Sequence, residues 1–466
     1  MPPPEAKPAV VIAGAGVAGL AAGMALQRQG LPVVILEKTG RVGGLAAGVS
    51  INGNIYKFGP HLFHTTDEEV LAEVRRVAGD VLIPMENRTK VKFSGKYFSF
   101  PLTVREVFSV LPLTMILKAS VSLAYHLALS VVSPNPDLEN SEQALKRFYG
   151  DELYKIFFKD YIEKVWGIDP RFLSPNFAKE RVPRMPILGL LTLLKKMLFR
   201  GSESKTVSTK GHVEKVSGVT YTTTKGYGLI CERMAEDFTR RGGRILLGAE
   251  VDGVSTAGGR CRAVSFTQEG RRETLECGHF ISTLPINLLM SLLDPPPPPP
   301  VLEAAGRIRF RPITFVGVLV SRSPILEAPY IYYRERSFNR VLDLAQFHVE
   351  MAPKNATALI AEITCSKEDR FWTDPEYAKS KVVSEFIEEG LISEHEILET
   401  HTFSTEYGYP LYALGFEDSL ATIMEELARW PNLHTIGRQG RFAYINTHVA
   451  MKMGLEAARA IAAAGR

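Results

Sequence analysis

Cysteine is scarce in this chain. Four occur in 466 residues, Cys231, Cys261, Cys277 and Cys365, and no two form a CxxC pair. That argues against a disulfide framework or a zinc site and for buried thiols in a reducing compartment. Excess charge is also scarce: Lys and Arg total 55 against 51 Asp and Glu, a formal +4. The balance gives no support for a nucleic-acid polymer as partner, and it is compatible with an anionic small substrate held by a few arginines. The start, "MPPPEAKPAVVIAGAG", enters a strand almost at once, with no room for a signal peptide, so a cytoplasmic location is expected. A clean membrane span, ~20 apolar residues, is missing too. "VFSVLPLTMILKASVSLAYHLALSVVS" (107–133) is interrupted by Pro112, Lys118 and His126, and "MPILGLLTLLKKMLFRG" (185–201) carries Lys195, Lys196 and Arg200 among its leucines. Both are expected to be buried helices of a helical subdomain. Peripheral contact at the inner face of a membrane is the alternative.

What is present begins with glycine. "AVVIAG" (9–14), "AGLAAGMALQRQG" (18–30) and "LPVVILEK" (31–38) read as strand, helix and strand, one βαβ unit. "GAGVAG" between the first two places Gly14, Gly16 and Gly19 at GxGxxG spacing, and Glu37 ends the second strand. Gly14 permits the tight turn, Gly16 lets backbone approach a pyrophosphate, and Gly19 lets helix pack on strand. The helix N-terminus faces phosphate charge, and Glu37 accepts ribose hydroxyls. "KTGRVGGLAAG" follows, with Arg41, Gly43 and Gly44. This GRxGG after the ribose acid resembles the FAD-binding signature of the superfamily of flavin amine oxidases, phytoene desaturases and UDP-galactopyranose mutases. The resemblance implies FAD, with Lys38 and Arg41 beside it. "GGRILLGAEVDGV" and "FISTLP" resemble later strands of the same FAD domain, with Val251 near the adenine side.

Further along, "TKVKFSGKYFSFPL" (89–102) alternates about a Ser94-Gly95 turn, as a hairpin does. Residues 103–200 read as helical, with Ser141 as a cap. Strands are expected at 313–321, 330–334, 341–349 and 357–365, and Pro295 to Pro300 as a polyproline connector. The fold class is α/β: a Rossmann-type FAD-binding domain with an inserted helical subdomain and an antiparallel-sheet substrate domain. The expected division is 1–88, 211–300 and 411–466 for the FAD domain, 89–210 for the hairpin and helical cap, and 301–410 for the sheet.

"FGPHLFHT" (58–65) sets His61 and His64 three apart in a glycine-proline turn. Metal ligands, an acid–base pair or a pocket wall are the open readings, although no further His or Cys pair completes a metal set. The segment resembles the "YGPHIFHT"-type loop of bacterial UDP-galactopyranose mutases, which lies against the flavin ring. That resemblance implies cofactor contact by Gly59, Pro60 and His61. "YIEKVWG" implies Trp166 in the substrate pocket, and "SFNRVLDLAQF" implies Arg340 as a diphosphate clamp. "GRQGRFAYIN" implies Gly437, Arg438 and Tyr444 beside flavin and sugar diphosphate, with Asn446 where the family usually has an acid. "ERVPRMP" offers Arg181 or Arg184 as a second clamp. Tyr407, Tyr409 and Tyr412 could line a sugar pocket or serve packing.

By resemblance, then, the chain is a nucleotide-sugar mutase that interconverts pyranose and furanose rings through an N5 adduct of reduced FAD. "KVWGIDPRFLSP" and "FRPITFVGVLV" equally resemble the protoporphyrinogen-oxidase-like branch. The alternative is therefore a FAD-dependent oxidoreductase acting on an apolar or amine substrate, and a flavin-binding scaffold without chemistry is a third reading. An arginine-rich pocket separates the first from the second. Oligomeric state is not readable.

Overall fold

The computed structural model describes residues 9–86, 88–99, 112–133, 136–181 and 219–464. Its first layer is a five-stranded parallel sheet in the order Leu433–Thr435, His279–Ser282, Val10–Ala13, Val33–Glu37, Arg244–Leu247. The two central strands, VVIA and VVILE, are buried throughout, as a parallel sheet covered on both faces requires. Helix Val17–Arg28 packs on helices Thr447–Ala464 and Gly228–Arg240. Small residues make that approach close: a Cβ on Gly454 would come within 2.4 Å of the Ala18 carbonyl oxygen. The nucleotide-binding unit is thus gathered from stretches far apart in the chain.

A smaller sheet carries Glu250–Ala257, Arg260–Gln268 and Arg271–Glu276 as an antiparallel meander, with Leu293–Asp294 at its edge. The third sheet has seven strands, in the order Ile397–Pro410, Phe310–Val320, Thr357–Thr364, Arg340–Asp343, Tyr330–Tyr333, Thr89–Phe93, Lys96–Ser99. The hairpin expected at 89–102 forms as Thr89–Phe93 and Lys96–Ser99, and it joins this sheet by parallel pairing with Tyr330–Tyr333. Helices Ser141–Leu153, Asp160–Trp166 and Pro175–Arg181 form the helical part beside it.

Several local expectations need correction. The strand expected at 341–349 ends at Asp343, whose carboxylate accepts the Ala345 amide and turns the chain into the short helix Leu344–Phe347. Asn140, not Ser141, caps the helix at 141, its side chain accepting from the Gln143 amide. The Ser141 hydroxyl instead donates to the Ser174 carbonyl. The proline run is not wholly a connector, because Pro299 and Pro300 open helix Pro299–Arg307, where a missing N–H costs nothing. The apolar stretch at 107–133 forms helix Leu113–Val132, and it is largely exposed rather than buried, with Ala119 its one buried residue. The stretch at 185–201 lies outside the described residues.

Candidate functional site

The glycine loop between Val10–Ala13 and Val17–Arg28 is built as its spacing requires. Gly14 sits at φ 99°, and a Cβ on Gly19 would lie 2.0 Å from the Gly14 carbonyl oxygen. At Gly16 a Cβ would meet nothing within 4 Å, so this face of the loop is open at the N-terminus of a helix, where backbone N–H groups favour a phosphate. Glu37 is buried, and its carboxylate accepts from the Ala15 amide at 2.8 Å and from the Thr39 amide and hydroxyl. Gly43 lies beside Gly16 in a parallel bridge. The Gly43 φ of 98° and Gly44 φ of 55° are left-handed, conformations that glycine adopts freely. Arg41 donates to the Gly44 carbonyl and lies over the Phe58 ring. Lys38 points elsewhere, into an exposed ion pair with Glu250. Val251 is buried near the start of the strand whose approach pairs with Glu37, the Ala249 amide donating to the Glu37 carbonyl. An open glycine loop with a buried acid beside it suits a dinucleotide. Gly19→Ala is expected to abolish flavin retention, measured as flavin absorbance per protein after purification.

The second half of the site is a row across the seven-stranded sheet. Tyr332 pairs with Arg340, Arg340 with Glu362, Glu362 with Phe315 and Phe315 with Phe403. Directly opposed residues project to the same side of a sheet, so five strands present one line of side chains. Phe58 packs edge-on against Phe315 and Phe403 with ring centroids 5.5 and 5.3 Å away. Gly59 follows so closely that a Cβ would lie 3.3 Å from Arg340 Nη2 and 3.7 Å from both Glu362 Oε2 and His61 Cε1. The 58–61 loop, with Pro60 at its bend, therefore runs along this row.

At its polar centre, Arg340 Nε donates to Glu362 Oε2 at 2.6 Å and Nη2 to the Tyr409 hydroxyl at 3.0 Å, while Tyr409 donates to Glu362 Oε1 at 2.7 Å. Arg340 Nη1 has no protein partner among the described residues. Burial works against the charge on this guanidinium, but Glu362 and the surrounding tyrosines outweigh it and hold Arg340 cationic. Burial drives the Tyr409 and Tyr161 hydroxyls well above their ordinary range and Tyr332 up to about 12, so all three remain protonated donors. Trp166 is buried among Phe177, Tyr409 and Tyr444, with centroids at 5.0, 5.5 and 6.3 Å.

His61 is half-buried, and its Nδ1, shielded from solvent, has no hydrogen-bond partner among the described residues. Burial, and then the positive charges of Arg438, Lys57 and Arg340, push it well below its ordinary pKa. The imidazole is therefore neutral at physiological pH and is not a cationic acid. Its unpaired Nδ1 is a buried polar atom of the kind that a heteroaromatic cofactor can satisfy. His64 is buried with its ring edge-on to His448 at 6.3 Å. Among the described residues no group of three or more His, Cys, Asp or Glu is placed to hold a metal.

The remaining candidates are distributed unevenly. Arg438 donates twice to the Ile445 carbonyl and lies 4.5 Å from the Tyr444 ring centroid, bracing its own loop beside Gly437. Tyr412 accepts from the Tyr444 amide and stacks on Phe416, which makes it a packing residue. Tyr407 packs edge-on against Phe310. Asn446 is exposed before the last helix, its carbonyl accepting from the Ala450 amide. Arg181 ends helix Pro175–Arg181, and Arg184 lies outside the described residues.

Sequence reasoning missed Glu362, Tyr161, Tyr332 and Lys57. Glu362 had a signal: it is the lone carboxylate in the otherwise uncharged strand TALIAEIT, all of it buried. Lys57 is only 1% exposed. Its amine donates to the His61 carbonyl at 2.9 Å, lies 3.9 Å from the Phe347 ring centroid, and has no carboxylate partner among the described residues. Burial lowers it to about 7. An unfolded lysine titrates near ~10.4, so between about 7 and that value the unfolded chain holds more protons and stability rises with pH. Below about pH 7 the burial cost is complete. Lys57→Met should therefore raise unfolding free energy by about 1–3 kcal/mol at pH 6 and by less at pH 10, as urea denaturation would show.

Residues 17–386 match the family described as flavin containing amine oxidoreductase. A "probable UDP-galactopyranose mutase" of Klebsiella pneumoniae is 31% identical over 181 residues, 38% of this chain and 45% of that protein. A "dTDP-fucopyranose mutase" of Escherichia coli is 26% identical over 181 residues, 38% of this chain and 46% of that protein. The matched stretch is thus less than half the length of these relatives. A solved structure of reduced UDP-galactopyranose mutase superposes with a TM-score of 0.79 at 18% identity, covering 98% of this chain and 96% of that one, a likeness of fold.

Proposed function

The chain belongs to the flavin containing amine oxidoreductase family, and from that premise we propose that it is a flavin-dependent nucleotide-sugar mutase, isomerising a sugar between pyranose and furanose rings. Membership implies an enzyme with FAD. Gly14, Gly16, Gly19, Glu37, Gly43 and Gly44 would hold it, and the Gly59–His61 loop would border it. FAD, once reduced, supplies a nucleophilic nitrogen.

The observation that carries the reading is Arg340, its side chain only 13% exposed, held by Glu362 and Tyr409 with Nη1 left without a partner among the described residues. A fixed, desolvated guanidinium suits a diphosphate that gains charge as it leaves the anomeric carbon. An apolar or amine substrate gives no reason to bury such a cation. Glu362 fixes the plane of the guanidinium. Tyr409 and Tyr444, with centroids 5.3 Å apart, and Trp166 would offer aromatic surface to the sugar and keep water out. Holding the leaving diphosphate near the anomeric carbon lets it be recaptured after the ring has reclosed. The partial mutase relatives support this reading. Incubating a panel of nucleotide sugars with the holoenzyme under anaerobic reduction, followed by chromatography, tests it. A ring isomer supports the proposal, and net oxidation of an amine or apolar compound replaces it with the oxidoreductase.

A further inference from the structure

Helix Leu113–Val132 leaves much of its apolar surface exposed to water. Its C-terminal half is bonded to helix Ser141–Leu153 through polar groups. His126 Nε2 contacts Asp151 Oδ2 at 2.8 Å, and the Ser122 hydroxyl accepts the Asp151 amide at 2.8 Å. Arg147 donates to the Leu129 and Ser133 carbonyls. Its outward face is mainly apolar: Leu113 is 68% exposed, Val121 71%, Val131 80% and Val132 84%, with Leu117 and Tyr125 also exposed beside Thr114, Lys118 and Ser120.

Among the described residues this is the one helix long and apolar enough by composition to cross a membrane. Soluble core helices pass the same test when buried, but this one is not buried. It also lies well inside the chain, unlike a leader. A span is incompatible with its surroundings, because crossing the bilayer would carry Asp151, Arg147 and their bonds into hydrocarbon, at several kcal/mol for each group left unsatisfied. Residues 112–133 contain no acid and a single cation, the exposed Lys118. The exposed surface is a straight ridge of one helix, ~30 Å long, rather than a groove shaped to receive a peptide. A flat apolar ridge with a lysine able to reach anionic headgroups fits a bilayer surface.

We propose that the outward face of Leu113–Val132 is a membrane-docking surface, with the helix lying parallel to an anionic bilayer and its side chains entering the headgroup–acyl boundary. The protein body replaces the solvated polar face of an ordinary interfacial helix. The proposal is independent of which reaction the flavin site performs.

The test is flotation of the full-length holoprotein with phosphatidylcholine vesicles, with and without phosphatidylglycerol. Wild type should float with both and more strongly with the anionic set. The combined variant Leu117→Ser, Val121→Ser, Val131→Ser should weaken binding by about 10–100-fold. Lys118→Glu should remove only the anionic increment. All of these residues are exposed and outside the flavin site, so flavin content should be unchanged. If the combined variant misfolds, Val121→Glu alone asks the same question. Absence of flotation, or flotation unaffected by these variants, overturns the proposal. Concentration-dependent self-association abolished by the same variants, without flotation, would assign the face to a second copy instead.

Discussion

Arg340→Lys is expected to lower kcat/KM for a nucleotide-sugar substrate by about 10²–10³-fold, some 3–4 kcal/mol, while flavin content stays at the wild-type level. Lysine keeps the charge but lacks the planar fork. Its single nitrogen cannot reproduce the donations of Arg340 to Glu362 and Tyr409 and also reach a diphosphate. The hydrogen bonds of Arg340 go to Glu362 and Tyr409 rather than to Gly14–Gly19 or Gly43–Gly44, so the two readouts should separate. Steady-state kinetics and the flavin spectrum of one preparation check both. An Arg340→Lys enzyme with normal kcat/KM for nucleotide sugars would remove the diphosphate clamp from the account.

Glu362→Leu should be strongly destabilising, by about 3–5 kcal/mol, because it leaves a guanidinium only 13% exposed without its counter-ion. Glu362 is 2% exposed, and its two oxygens accept from both Arg340 and Tyr409. Glu362→Gln keeps the shape and one acceptor oxygen, replaces the other with an amide donor and loses the charge, so it should fold and lose less than Glu362→Leu. The double variant Arg340→Met, Glu362→Leu removes both charges and should recover much of the stability lost in Glu362→Leu. Denaturant midpoints across this cycle measure the coupling. Additive losses would mean that the pair does not act as a unit.

The parts of the molecule that could be read from sequence are those whose geometry is local. Gly14, Gly16, Gly19 and Glu37 lie within one βαβ unit, where spacing dictates the turn and the end of the next strand. The loop at Gly59–His61 could be proposed as a pocket wall only through resemblance, because nothing nearby in sequence says that Phe58 will meet Phe315 and Phe403. The row Tyr332–Arg340–Glu362 was hidden for the same reason: it exists through the register of strands from three separate stretches. Glu362 sits in a run otherwise apolar enough to pass as plain core. The helix at 113–132 was misjudged because hydropathy along a chain reports how apolar a segment is and not which way its face turns. The Ser141 cap failed by one residue, since Asn140 offers an equally good acceptor one position earlier.

The most direct measurement of the central claim is product analysis by NMR after incubation with UDP-galactopyranose and related nucleotide sugars, run once with oxidised enzyme and once with anaerobically reduced enzyme. The account predicts a furanose isomer from at least one of them, with reduced enzyme alone and with no net consumption of reductant. Conversion that proceeds with oxidised flavin and consumes an electron acceptor, or no ring isomer from any nucleotide sugar, would contradict it.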